Sequence, residues 1–480
     1  MNKRIHIWIP YLLSLAGILS LAWWMTHDPV SDLNVSAPGM DNRGEGVEIN
    51  LDIDIGEYFE RFEKKRSELT GTWPRFRGEH FDNISREEMP LIDQFPEGGP
   101  KVLWSVELGE GHGGAAIFEG KVYVLDYDEE IRADMLRCFD LKEGTELWRR
   151  WYEIPIKRNH GMSRTVPAVT EDYIVTIGPR GHVMCVDRQD GDLRWGLNVE
   201  KDYNSEVPFW YTGQCPLVDN DMAIIATGGK NLVVAVDCKT GEIAWQTPNE
   251  KEWGMSHSSI MPFEFNGVSM YVYSAIGGAC GIAAEGDNAG EILWTAPDWK
   301  HNVVAPSPVC LPNGTIFLTA GYGAGSMVLK LKGSEGNFTA EVVTEYSPKE
   351  GLACEQQTPV VFDGHLLGIL PKDAGALRNE LVCVHPDDFT RIVWSSGQTV
   401  RFGLGPFMIA DEKLFILDDD GTLTIARPSV SRYIELDKYR VISDGADAWA
   451  PIAVADGYMV LRDSKTMVCL DMAKSRNNSI

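Results

Sequence analysis

The chain has 480 residues, 44% of them hydrophobic and 24% charged, with a formal net charge of −26. At roughly 150 residues per domain the length suggests about three domains, and the globular composition excludes a collagen, a long disordered chain or a multi-span membrane protein. The acidic balance repels phosphate backbones and argues against a nucleic-acid partner.

Residues 5–25 (IHIWIPYLLSLAGILSLAWWM) contain no Asp, Glu, Lys or Arg. That is about the length of a helix that crosses the hydrocarbon core. Lys3 and Arg4 precede it and Asp28 follows. The positive-inside bias keeps residues 1–4 in the cytoplasm and exports the remainder. The run ends in Trp23 and Trp24, without a small-x-small cleavage site, so an uncleaved anchor is favoured over a cleaved signal peptide. No Cys adjoins the run, which argues against a lipoprotein. The expectation is a single-pass membrane protein, with one N-terminal transmembrane helix and the bulk of the chain on the periplasmic or extracytoplasmic side. Residues 26–70 read as a linker or stalk, with a short helix over Gly56–Leu69.

A repeat follows. CFDLKEGTELW (Cys138–Trp148), CVDRQDGDLRW (Cys185–Trp195) and AVDCKTGEIAW (Ala235–Trp245) align without gaps. Each has Asp eight residues and Gly four residues before the Trp. AEGDNAGEILW keeps Gly290 and Trp294, and CVHPDDFTRIVW ends at Trp394. The tryptophans lie 47, 50 and 49 residues apart, then 100, which is two repeats. Each copy reads as a β-hairpin, with Asp capping the turn and Gly supplying a positive φ. Another strand pair precedes each hairpin, as in TVPAVTEDYIVTI and TPVVFDGHLLGIL. Eight such pairs begin near Gly113, Thr165, Gly213, Ser258, Pro306, Thr358, Gly405 and Ala450. The last repeat reaches Cys469–Asp471 but lacks a Trp strand, and Lys101–Trp104 (KVLW) supplies one. The pattern predicts an all-β, eight-bladed β-propeller over residues 71–476, built of four-stranded antiparallel blades and closed by its N-terminal strand.

The hairpin, AVDCKTGEIAW above all, resembles the PQQ-type β-propeller repeat. TWPRFRGEHFDNIS, from Thr72 to Ser85, resembles the W-P-x-F-R-G lead-in of exported bacterial propellers of that kind. The resemblance spans about Thr72 to Met472. It implies eight blades with Trp docked between neighbours. It also implies one of two functions. Quinoprotein dehydrogenases of the family hold pyrroloquinoline quinone and Ca²⁺ on the axis and oxidise alcohols or sugars. Other members are not enzymes, among them an outer-membrane protein assembly propeller. None of the nine cysteines here is adjacent to another, and no C-x-x-C-H haem site occurs. The expectation is therefore a binding or scaffold module of the cell envelope with envelope protein partners. A quinone- and Ca²⁺-dependent dehydrogenase and an assembly factor are the alternatives.

Cysteines at the repeat position (Cys138, Cys185, Cys383, Cys469) read as small buried residues. Asp418-Asp419-Asp420-Gly421 reads as a hairpin turn rather than a calcium loop, and GYGAGS (Gly321–Ser326) as a blade turn. No histidine or cysteine spacing suggests a metal site. Polar and aromatic residues gather where the chain enters each innermost strand, which in a propeller rings one channel mouth. Arg164, Trp210, Gln214, His257, Gln357, Arg401 and Trp449 form the candidate ligand site. Arg164 or Arg401 could grip a carboxylate, and Trp210 or Trp449 could stack on a planar ring.

Overall fold

The computed structural model describes residues 5–26, 52–64 and 66–477, with side chains from 11 to 24 in the first stretch. The chain divides into two compact units between residues 49 and 50. In the first, Ile5–Thr26 is one α-helix. Its large apolar side chains, among them Leu12, Leu13, Ile18, Trp23 and Trp24, are exposed. Among the described residues no helix is long and apolar enough to cross a membrane. The span expected over residues 5–25 is thus present as a helix only.

The second unit holds eight antiparallel blades. The inner strands of each blade are apolar on both faces, because neighbouring blades cover both. Asn231–Asp237 (NLVVAVD) is buried along its middle, whereas the outermost strand Ile243–Pro248 is largely exposed. Thr466–Asp471 pairs antiparallel with Lys101–Glu107, Cys469 opposite Trp104, and this joint closes the ring.

The repeat motif has a physical explanation in the hairpin. Asp237 Oδ1 accepts the amides of Lys239 and Thr240 at 2.9 and 2.8 Å, and Gly241 turns the chain at φ +76°. A bulge follows. Ala235 faces Trp245, but Val236 faces Ile243, so one residue is extra. The same bulge accompanies Trp104, Trp148, Trp195, Trp294 and Trp394. The residue opposite each Trp is Cys, Ala or Gly, which leaves room for the indole. Four of the six, Trp104, Trp148, Trp195 and Trp245, then lie over the glycine of the next blade. A Cβ on Gly144, Gly191, Gly241 or Gly290 would come within about 3.1 Å of Trp104, Trp148, Trp195 or Trp245 respectively. In these four the spacing of Gly and Trp is thus an inter-blade contact written into the repeat.

Two N-terminal stretches complete the ring. Thr72–Trp73 pairs with the innermost strand of blade 1, Ala116–Phe118, and Ile84–Ser85 pairs with that of blade 7, Phe407–Ala410. Between them Arg75 donates to the carbonyl of Val218 in blade 3. Arg77 donates to the carbonyls of Phe81, Thr358 and Pro359, the last two at blade 6. A segment that touches the inner strands of blades 1, 3, 6 and 7 crosses the axis and plugs the channel.

The helix expected over Gly56–Leu69 is a strand instead. Tyr58–Arg61 adds to the outer edge of blade 1, Tyr58 opposite Trp151 and Arg61 opposite Trp148. The unpaired edge of Glu146–Glu153 offers backbone partners that a short isolated helix in water lacks. The Tyr58 and Trp151 rings stack at 5.5 Å.

All nine cysteines are free, and only Cys310 is not fully buried. Burial pushes the thiols of Cys138 and Cys280 up to about 12 and those of Cys215 and Cys383 up to about 11. Thiols held protonated and out of solvent react slowly. Ellman's reagent should therefore modify essentially none in the native protein at pH 8 and all nine after denaturation. Rapid native modification of several thiols would contradict this packing.

Candidate functional site

A cavity of about 280 Å³ lies at the axis, lined by residues from all eight blades. They stand just before the innermost strands: His112 in blade 1, Arg164 in blade 2, Trp210 in blade 3, His257 in blade 4, Ala305 in blade 5, Gln357 in blade 6, Leu404 in blade 7 and Trp449 in blade 8. Phe76, from the plug, closes the floor.

Five of the seven residues singled out from the sequence meet here: Arg164, Trp210, His257, Gln357 and Trp449. Gln214 and Arg401 are not in the lining. Gln214 is buried inside blade 3 and bonds Ala226 through both amide atoms, at 2.6 and 3.1 Å. Its neighbours Gly213 and Cys215 line the cavity, and strand-like alternation turns Gln214 to the other side. Arg401 donates to the carbonyls of Gln398, Ala376 and Arg378 and faces the buried Glu380 at 3.6 Å. It braces a turn of blade 6.

Among the lining residues that escaped the sequence reading are Phe76, Tyr322 and Lys372. Tyr322 sits in the GYGAGS turn at φ +58°, and its ring stacks on Trp210 at 5.4 Å. Lys372 stands over the Trp449 ring at 6.0 Å. Both belong to loops between the second and third strands of their blades. In a propeller these loops share a face with the turns that lead into the innermost strands, and that topology was the available signal.

The aromatic walls are fixed. Trp449 donates its indole N–H to Asp419 Oδ1 at 2.8 Å, so the acidic turn read as a hairpin orients a wall of the cavity. Its ring lies 4.8 Å from that of His112. Burial, reinforced by Arg164, lowers His112 and His257 to about 3, so both imidazoles are neutral at physiological pH. Burial also lowers Arg164, to about 10, which leaves it charged. Burial raises Glu355, and nearby Lys372, 3.9 Å away, partly offsets this. The fixed positive charge of the cavity therefore resides on Arg164 and Lys372.

The donor set does not fit a calcium ion. Calcium takes about six to eight oxygen ligands, usually several carboxylates. Glu355 is the one carboxylate in the lining, and it faces a lysine. Among the described residues no group of three or more His, Cys, Asp or Glu could hold a metal.

The fold and this site define a PQQ-type eight-bladed propeller with a blind axial cavity. A family profile described as outer membrane protein assembly factor BamB matches residues 96–208 and 132–351, together more than half of the chain. The chain belongs to this family. It is 23% identical over 342 residues to the outer membrane protein assembly factor BamB of Yersinia pestis, covering 67% of this chain and 76% of that protein. A europium-containing methanol dehydrogenase shares the fold with a TM-score of 0.54 at 12% identity, over 82% of this chain and 89% of that one. The computationally designed Ika8 protein does so with a TM-score of 0.50 at 12% identity, over 77% and 99%. At such identities these two likenesses concern the fold alone.

Proposed function

We propose that this protein is a binding ring of the cell envelope that serves the assembly of outer-membrane proteins, as the description of its family indicates. The family match over residues 96–351 carries this reading. In this proposal residues 5–25 hold the protein at the membrane, residues 26–49 form the tether, and the propeller unit from residue 50 onward, with Tyr58–Arg61 on its first blade, faces the periplasm. The exposed Leu, Ile and Trp side chains of the N-terminal helix support the membrane contact. The rigid, closed ring supports a scaffold role, because its loops and blade edges can engage partners without reorganising the core.

Photo-crosslinking groups placed on exposed blade loops of the full chain in living cells test the reading. Capture of outer-membrane assembly components, with lower outer-membrane β-barrel protein after depletion, is expected. Unchanged β-barrel levels and no captured assembly component would remove the proposal. Carbonate extraction tests the anchor separately: the full chain should stay with the membrane, and a chain lacking residues 1–26 should be released.

A further inference from the structure

We propose that Cys185 and Cys238 are joined by a disulfide across the joint between blades 2 and 3, formed during folding with a thiol–disulfide oxidant of the cell envelope. The bond goes beyond the assembly role. Only the source of the oxidant rests on the envelope location proposed above.

The repeat brings the two sulfurs together. Cys185 lies in the third strand of blade 2, His182–Asp187, opposite Trp195. Cys238 follows Asp237 in the hairpin turn of blade 3. Trp195 crosses the joint, lies over Gly241 and donates its N–H to the Cys238 carbonyl at 3.0 Å. The Cys185 thiol donates to the same carbonyl at 3.4 Å. It also meets the Cys238 thiol in a hydrogen bond, which together with burial holds Cys185 well above the ordinary range of a thiol. Both side chains are buried in one apolar cluster shared by the two blades. Other joints fill these positions differently. Between blades 8 and 1, Cys469 faces the Leu141 carbonyl at 3.6 Å, and Leu141 stands where Cys238 does. Between blades 1 and 2 the repeat sets Arg188 across from Cys138. Among the described residues no other two cysteines are hydrogen-bonded to each other.

The chemistry is a two-electron exchange. One cysteine thiolate attacks a sulfur of the oxidant's disulfide, which forms a mixed disulfide and releases one oxidant thiolate. The second cysteine thiolate then displaces the other oxidant sulfur, and the Cys185–Cys238 bond closes. The two cysteine protons end on the two oxidant thiols. Sulfurs already in contact need only small side-chain turns to bond. In the finished ring both are out of solvent, so the exchange belongs to the stage when the blade 3 hairpin docks on blade 2. For the same reason the completed bond is shielded from reductants. It closes a loop between residues 53 apart and so restricts the unfolded chain.

Refolding the full chain in detergent tests this, once in a buffer of oxidised and reduced glutathione and once in excess reductant. Alkylation after denaturation should find seven thiols in the first and all nine in the second. Peptide mapping by mass spectrometry should recover Cys185 and Cys238 in one linked species. The oxidised form should melt roughly 3–8 °C higher. Cys185→Ala copies Ala235 of the next repeat, and Cys238→Leu copies Leu141. Each should give eight thiols and one melting temperature in both buffers, and either suffices if the other does not fold. If the chain does not refold, mapping of chain trapped with N-ethylmaleimide at lysis of the exporting cell carries the test. The proposal is overturned by nine thiols in the oxidised folded chain, by a link between another pair, or by equal melting temperatures with and without the bond. A bond that forms in glutathione but not in the cell would count against the envelope location and not against the pairing, so the two can fail separately.

Discussion

Trp104→Ala should open the ring at its seam and lower the unfolding free energy by about 3–5 kcal/mol, the usual range for deleting a buried tryptophan side chain. Trp104 is buried, faces Cys469 in the last repeat, lies over Gly144 of blade 1 and donates its N–H to Leu141 at 2.8 Å. It therefore joins three things: the N-terminal strand, the C-terminal hairpin and the first blade. The other repeat tryptophans join blades that are consecutive in sequence. Urea unfolding with an unchanged m-value reads the loss. Native-state hydrogen exchange should show Lys101–Glu107 and Thr466–Asp471 released first. A change below about 1 kcal/mol, or exchange that starts in blades 3–5, would mean that the seam is not the weak joint.

Asp134→Asn should stabilise the protein above pH 7 and leave it unchanged near pH 4. Asp134 is almost fully buried in blade 1. Tyr152 donates to its Oδ2 at 2.8 Å, and Oδ1 has no partner. Burial raises its pKa to about 7. The folded chain then holds this proton more tightly than the unfolded chain, where the value is about 3.9. The associated stability is present below about pH 4 and is lost as pH rises towards 7. Asparagine cannot ionise, so the variant should gain about 1–4 kcal/mol over the wild type at pH 8, a fraction of the full linkage term up to all of it. The histidines act in the opposite sense. His112, His182 and His257 are lowered to about 3, so their contribution is present above about pH 6.5 and is lost as pH falls. Comparing wild type and variant at each pH cancels that background. Thermal melts at pH 4 and 8 decide it: equal differences at both would show that Asp134 does not titrate between them.

The ring was legible because its determinants are local and repeated. Asp at the turn, Gly at positive φ, a small residue opposite Trp and a bulge before it all lie within eleven residues, and the chain writes them several times. The closing strand was legible for the same reason, as half a repeat at each end. The plug was not. Its strands are two residues long, and its anchors are arginines that seek backbone carbonyls of blades 3 and 6, which no periodicity announces. The strand Tyr58–Arg61 was misread because its partner edge exists only once blade 1 has folded. At the site, topology alone placed Arg164, Trp210, His257, Gln357 and Trp449 at one mouth. It could not give orientation. One residue of alternation removes Gln214 from the cavity, and Arg401 turns away to Glu380 and the carbonyls beside it.

The order in which these pieces leave the ribosome has a consequence. The plug and the closing strand are among the first parts of the ring to be made, and their partners include the last. Gly71 donates to Asp456, and Lys101–Glu107 waits for Thr466–Asp471. Through most of synthesis this N-terminal piece has an apolar strand and no sheet to join. Such long-range pairing is slow and leaves an adhesive edge exposed until the final hairpin arrives. The chain is thus most vulnerable to proteolysis and to strand exchange with a sister molecule just before completion.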